Sequence, residues 1–420
     1  MVYTNPLVVA PPPAPLSVEE TGLELGLLAD LTLKSLYFAG NITGGELADR
    51  LALPAQVMAE VMTFLRRERL VEVTGGSSVS VAGLRFALTS EGLERAGSAL
   101  AMSAYVGAAP IPLATYFECV RRQSVQNLQI QREDIERSLS TLVLEQRTID
   151  LIGQALSSKR SLLLYGSSGN GKSTAADCLR EAISGEVLIP YAIEVMHQVI
   201  QVFDPSTHEV AGTIDAKQHD RRWALVRRPI VFAAGELAAS HLELVLDEVH
   251  KTYEAPIQMK ANGGLLVVDD FGRQQLDAAY LLNRWIVPLE KGVDHLSLHN
   301  GARFESPFDV IPVFVTNKEP SDLADEAFLR RIRYKIQIRP PSLELFLQIL
   351  QRECKRNGVG YNEAAARYLV ETHFNGTGRQ FRGCHPRDII EAIAASADYR
   401  GTGRMLTHDT IDEACANYFV

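Results

Sequence analysis

Gly166, Ser167, Ser168, Gly169, Asn170, Gly171, Lys172 and Ser173 follow directly on the apolar run "SLLLY" and precede a helical pattern that begins around Thr174. Glycines let consecutive backbone N–H groups turn toward one anion, and a helix start adds its dipole. The spacing GxxxxGK[ST] between a strand and a helix is therefore a phosphate cradle. Lys172 is expected at the β- and γ-phosphates of a bound nucleotide, with the Ser173 hydroxyl on Mg2+ and Thr174 completing the cofactor-binding set.

A second reactive pair stands 97 residues after Lys172, where "GGLLVV" runs into Asp269 and Asp270. A parallel strand buried on both faces needs a continuous apolar run, and ligands collect at the carboxyl ends of such strands. Two adjacent carboxylates there repel unless they share a cation. Asp269 is expected to orient the metal's water shell and Asp270 to polarise the attacking water of a phosphoryl transfer. Asp in place of a longer Glu draws the second carboxylate back by one C–C bond, about 1.5 Å. A misplacement of that size costs about a hundredfold if nothing compensates. Two outcomes stay open: slow hydrolysis, or a backbone that has moved to make up the distance.

The elements that must position these groups are legible from about Ser161 onward, where short apolar strands alternate with helices, the pattern of a parallel sheet covered on both faces. From about Pro341 the pattern is wholly helical. "DVIPVFVTNKEP" is another buried strand, ending in Asn317, 48 residues after Asp269; "LADEAFLRRIRYKIQI" is a short helix ending in Arg330 and Arg331 before a last strand; "CHPRDIIEAI" sets Arg387 at the start of a helix.

This ordered series resembles the AAA+ ATPases over residues from about 125 to 420. The resemblance implies that Asn317 helps to position the hydrolytic water, that Arg330 or Arg331 reaches the γ-phosphate held by a neighbouring subunit, and that Arg387 contacts nucleotide from a lid. It implies ATP and Mg2+ as cofactors and a ring homo-oligomer, a hexamer by family. Bacterial replication initiators of the same superfamily also carry two Asp residues at the metal strand. "PLEKGVDHLSLHNGARFESPF" reads as two short strands around the turn signal His299-Asn300-Gly301. Its position is similar to the hairpin before sensor 1 in the branch with magnesium chelatases, MoxR-type chaperones and enhancer-binding activators. The long spacing from Lys172 to Asp269 predicts an insertion at about 190–260, in which Trp223 and Tyr253 are candidates for an aromatic pore-loop residue.

Residues 18–105 carry three helical patterns, the third opening at Pro54, then two strand-like pieces and a small helix, an order similar to a winged helix-turn-helix. They hold 11 acidic and 7 basic side chains, and only Arg66, Arg67 and Arg69 cluster, at the wrong end of the third helix for groove reading. Docking of a protein partner is favoured over DNA. The expected architecture is α/β: a Pro-rich tail at 1–17, the winged-helix-like domain at 18–105, a linker at 106–124, a P-loop NTPase domain with a parallel sheet at 125–340, and a helical lid at 341–420.

Composition fits that reading. The 420 residues, 46% apolar with a net charge of −9, disfavour a partner held only by nonspecific phosphate attraction. Five scattered cysteines without a CxxC pair suit a reducing cytoplasm, no apolar run is long enough for a membrane span, and the dispersed histidines, His385 included, suggest no metal site. The expected activity is ATP hydrolysis between ring subunits that remodels a protein client. The alternative is an ATP-dependent regulatory switch that binds DNA through its winged helix.

Overall fold

Four short apolar runs and a more polar edge strand pair into one parallel sheet: β1 (Leu162–Tyr165), β2 (Ile230–Ala233), β3 (Gly264–Val268), β4 (Val310–Val315) and β5 (Tyr334–Gln337), in the order β2-β3-β4-β1-β5. The structure is a computed structural model and describes residues 10–76, 80–215, 218–323 and 326–419. Residues 1–9 of the Pro-rich tail, 77–79 of the wing-like stretch and 324–325 before Arg330 lie outside the described residues. Every residue of β3 and β4 is buried, which explains why neither strand alternates apolar with polar. β1 lies between β4 and β5, so strand order reverses there and a crevice opens at the carboxyl ends.

Close approach of β2 and β3 explains the paired glycines at the start of β3. Gly263 has φ of 85°, and a Cβ on Gly264 would lie 1.9 Å from the Pro229 carbonyl oxygen, which already accepts the ladder bond from Leu265 N. Gly264→Ala must push the two strands apart, and is expected to destabilise the fold by about 3 kcal/mol. Urea unfolding measures this, and an unchanged midpoint would show that the strands do not need their spacing.

The expected insertion at 190–260 is divided by the core, because Ile230–Ala233 belongs to the central sheet as β2. Its flanks build two further sheets. One joins Glu186–Pro190, Trp223–Arg227 and Val210–Gly212; the other joins Val245–Asp247, Thr252–Glu254, Gln198–Gln201, Ala192–Val195 and Ile111–Pro112. The stretch 106–124 is therefore not a linker. Ile111–Pro112 pairs with Ala192–Val195, and the helix Leu113–Arg122 buries Tyr116, Cys119 and Val120 against the extra sheets. Small residues and prolines suggested a tether, but the apolar face at helical spacing decided the packing. Trp223 and Tyr253 are buried in the same core and are not pore-facing; the Tyr253 hydroxyl accepts a bond from His299 N at 2.9 Å.

Toward the N-terminus lie helices Leu25–Ala39, Gly44–Arg50 and Ala55–Arg67, a three-stranded antiparallel sheet of Ile42–Thr43, Leu84–Leu88 and Val71–Gly76, and the helix Ser90–Met102. Thr43 and Glu46 form a capping box on the second helix. Arg67 pairs with Glu68 and stacks over Phe64. This unit is tied to the extra sheets by the buried Arg222, which pairs with Asp220 and donates to the Thr21 and Pro110 carbonyls. The described part of the tail runs along the same face, with Ala14 N donating to Gln218 O.

The C-terminal helices Leu343–Asn357, Glu363–Tyr368, Cys384–Arg400 and His408–Tyr418 enclose a core of Phe346, Leu350, Phe374, Ile389 and Ile411.

Candidate functional site

The cradle begins where β1 ends. Gly166, Gly169 and Gly171 take φ of 128°, 80° and 83°, which only glycine adopts without strain. A Cβ on Gly166 would meet Ile338 O at 2.5 Å, and one on Gly169 would meet Cys384 Sγ at 2.6 Å. Ser167, Ser168, Ser173 and Thr174 are exposed, so the mouth of the loop is open, while Asn170 and Lys172 are buried beneath it. Lys172 Nζ donates to Ser167 O at 2.9 Å, and Asn170 Nδ2 donates to Ser167 Oγ at 2.8 Å. Burial draws the Lys172 ammonium below its usual value, against the pull of the Asp269 and Asp270 carboxylates, which favour its charge.

Asp269 and Asp270 are held by the neighbouring strands. Asp269 N donates to Ala233 O at the end of β2, and Phe271 N donates to Val315 O at the end of β4. Thr316 Oγ1 donates to Phe271 O at 2.7 Å and Lys318 Nζ to Gly272 O at 2.8 Å. Asn317 lies between these two anchors, and Thr316 N is bonded to Leu164 O of β1. Lys172, the aspartate pair and Asn317 thus share the carboxyl end of the sheet, in the segments that leave β1, β3 and β4.

At Asp270 the backbone leaves strand geometry altogether, with φ of 51°. Asp tolerates the left-handed region better than most side chains. Its own N–H donates to Asp269 Oδ1 at 2.8 Å, which fixes the first carboxylate while the second projects to solvent.

Ser173 and Asp269 offer hard oxygen donors. Mg2+ is usually held by one or two such groups together with substrate phosphates, so these residues suit that ion. Among the described residues no group of three or more His, Cys, Asp or Glu could hold a metal alone.

The C-terminal helical region meets the loop through its own backbone: Cys384 N donates to Gly169 O at 2.8 Å, and Gly383 N to Asn170 Oδ1 at 3.1 Å. The Arg387 guanidinium pairs with Asp388 at 2.7 Å. Arg382 lies beside the phosphate loop, with its Cδ 3.6 Å from where a Gly169 Cβ would stand. Sequence reading missed it because "RGCHPRD" offers two arginines five residues apart, and only the turn at Gly383 brings Arg382 to the loop. His385 packs among Phe374, Tyr418 and Phe419, and burial draws its imidazole down to about 4.

Arg330 and Arg331 lie at the opposite, amino end of the sheet. Ser161 Oγ, just before β1, donates to Arg331 O at 2.9 Å, and Arg331 Nε contacts Glu290 at 3.2 Å. They are not brought to their own chain's phosphate loop.

A glycine loop between the first strand and first helix of a parallel sheet, with carboxylates at the end of β3, one strand removed from β1, decides the fold. It is a P-loop NTPase fold. Over residues 342–417, within the C-terminal helical region, the chain matches a domain of unknown function, DUF8689. No curated protein matches the chain. Among solved structures it is weakly similar to the RuvB Holliday junction branch migration motor of Thermotoga maritima, at 13% identity and a TM-score of 0.35, covering 71% of this chain and 72% of that one. It is also weakly similar to NtrX from Brucella abortus, at 10% identity and a TM-score of 0.39, covering 76% of this chain and 60% of that one. Likeness at this level assigns no activity. No described helix is long and apolar enough to cross a membrane.

Proposed function

We propose that this protein is an AAA+-type ATPase whose subunits assemble into a ring, a hexamer by resemblance, and hydrolyse ATP between neighbours to remodel a protein partner. The reading is carried by the convergence of Lys172, Asp269, Asp270 and Asn317 at one end of the sheet, with Arg330 and Arg331 at the other. In such a site the loop from Gly166 to Thr174 binds the phosphates, and Ser173 and Asp269 hold Mg2+. Asp270 and Asn317 align water, and Arg330 or Arg331 completes the site next door. The hairpin Val293–Ser297 and Arg303–Pro307 supports placement in the branch with a hairpin before sensor 1. The N-terminal unit, read as a winged helix without a basic stripe, would recruit the client.

Steady-state ATP turnover against protein concentration tests the shared site. Turnover per subunit is expected to rise steeply with concentration and then level off as rings fill. Turnover per subunit that stays constant down to concentrations where only single chains sediment would sink the shared site.

A further inference from the structure

At the amino end of the sheet, away from the phosphate loop, a cavity of about 970 Å3 opens beneath β1, β4 and β5. Its lining includes Arg121, Lys159, Arg160, Arg330, Arg331 and Arg333. Lys291 adds a seventh cation, against three carboxylates, Glu118, Glu290 and Asp309. Glu290 contacts Arg331, and Asp309 accepts from Ser124 Oγ at 2.6 Å and Val125 N at 3.0 Å, so cations still outnumber carboxylates in the lining. The cavity is thus strongly positive on a chain whose net charge is −9.

The fold itself gathers these cations. Lys159, with φ of 53°, and Arg160 form the turn into β1, while Arg333 directly precedes β5; the two strands are neighbours, joined here by the bond from Tyr334 N to Ser161 O. Arg121 enters from the last turn of the helix Leu113–Arg122. Guanidinium groups from three segments around one concavity suit multiply charged oxyanions such as phosphates, which accept paired bonds from each. A single carboxylate would leave most of the charge uncompensated, whereas a long polyanion would feel the repulsion of the acidic remainder of the chain. The volume is that of a small-molecule site.

We propose that this cavity is a second anion site, separate from the phosphate loop, for a small soluble ligand bearing two or more phosphate groups. Because Arg330 and Arg331 line it, a bound ligand draws them from the neighbouring subunit and lowers turnover. This regulatory consequence rests on the ring reading above; the binding itself does not.

The test uses the full-length Lys172→Ala protein, in which the phosphate loop is disabled, and inorganic tripolyphosphate as the probe in isothermal titration. One site per chain is expected at concentrations where sedimentation shows single chains, weakening with added salt. Adding Arg121→Ala, Arg160→Ala and Arg333→Ala is expected to weaken binding at least about tenfold, a loss of ~1.4 kcal/mol. Arg160→Ala alone, at an exposed position, gives the same direction without threatening the fold. In the protein with Lys172 intact, tripolyphosphate should raise the KM for ATP by competing at the loop and also lower kcat; the triple variant should keep the first effect and lose the second. Absence of binding to the Lys172→Ala protein, or binding untouched by the triple substitution, overturns the site. Binding found only in assembled chains also overturns it, since the cations would then serve a neighbour's nucleotide. If the protein with Lys172 intact fails to hydrolyse ATP, the ring reading falls, and the titration still decides the anion site.

Discussion

Replacing both Arg330 and Arg331 with Ala should lower ATP turnover by about 10³-fold or more while leaving ATP affinity nearly unchanged. Arginines supplied from a neighbour act on the charge of the transition state, and their removal has effects of about that size. Both residues lie at the amino end of β1 and β5, whereas their own phosphate loop leaves the carboxyl end of β1. A contribution within one chain would require the guanidinium to pass the whole length of the sheet. Mixing gives a sharper readout than either variant alone. Subunits lacking the arginines still carry an intact loop, and Lys172→Ala subunits still carry the arginines, so two inactive proteins should regain turnover when combined. Failure of the mixture to recover, or full activity in both single variants and the double variant, would remove the arginines from the reaction.

The Lys172→Ala protein by itself is expected to lose about 10²–10³-fold in turnover, the usual loss when one preorganised charge at developing phosphoryl oxygens is deleted. The fold should survive. Lys172 Nζ bonds the Ser167 carbonyl, and Ser167 sits at the open mouth of the loop, so the stability cost is about 1 kcal/mol. Titration with ATP and a thermal melt on the same sample separate the two effects. Undiminished turnover would place the chemistry elsewhere in the molecule.

Much of this site was legible in the sequence because its parts are local. A glycine loop works through its own backbone angles, so the pattern from Gly166 to Ser173 could be read without knowing what surrounds it. Asp269, Asp270 and Asn317 follow apolar runs too continuous for half-exposed strands, and such runs place their last polar residues at a sheet end. The division of labour between two ends of the sheet also follows from chain order, since Arg330 and Arg331 precede a strand while the others follow one.

Other features were settled by contacts between distant segments. Whether 106–124 is a tether depended on a partner strand at Ala192–Val195, which no local composition announces. Whether Trp223 or Tyr253 faces a pore depended on the extra sheets that bury both. Arg382 lies beside the loop because Gly383 and Cys384 bond to Asn170 and Gly169 more than 200 residues earlier. The backbone at Asp270 is left-handed where Phe271, the next residue, is tied to β4. The sequence by itself determined the loop, the buried strands and their reactive ends, since each is encoded in a few consecutive residues. The tertiary structure alone decided that Arg382 lies beside the loop and how seven cations collect in one cavity, because both depend on distances between chain segments that no local pattern specifies.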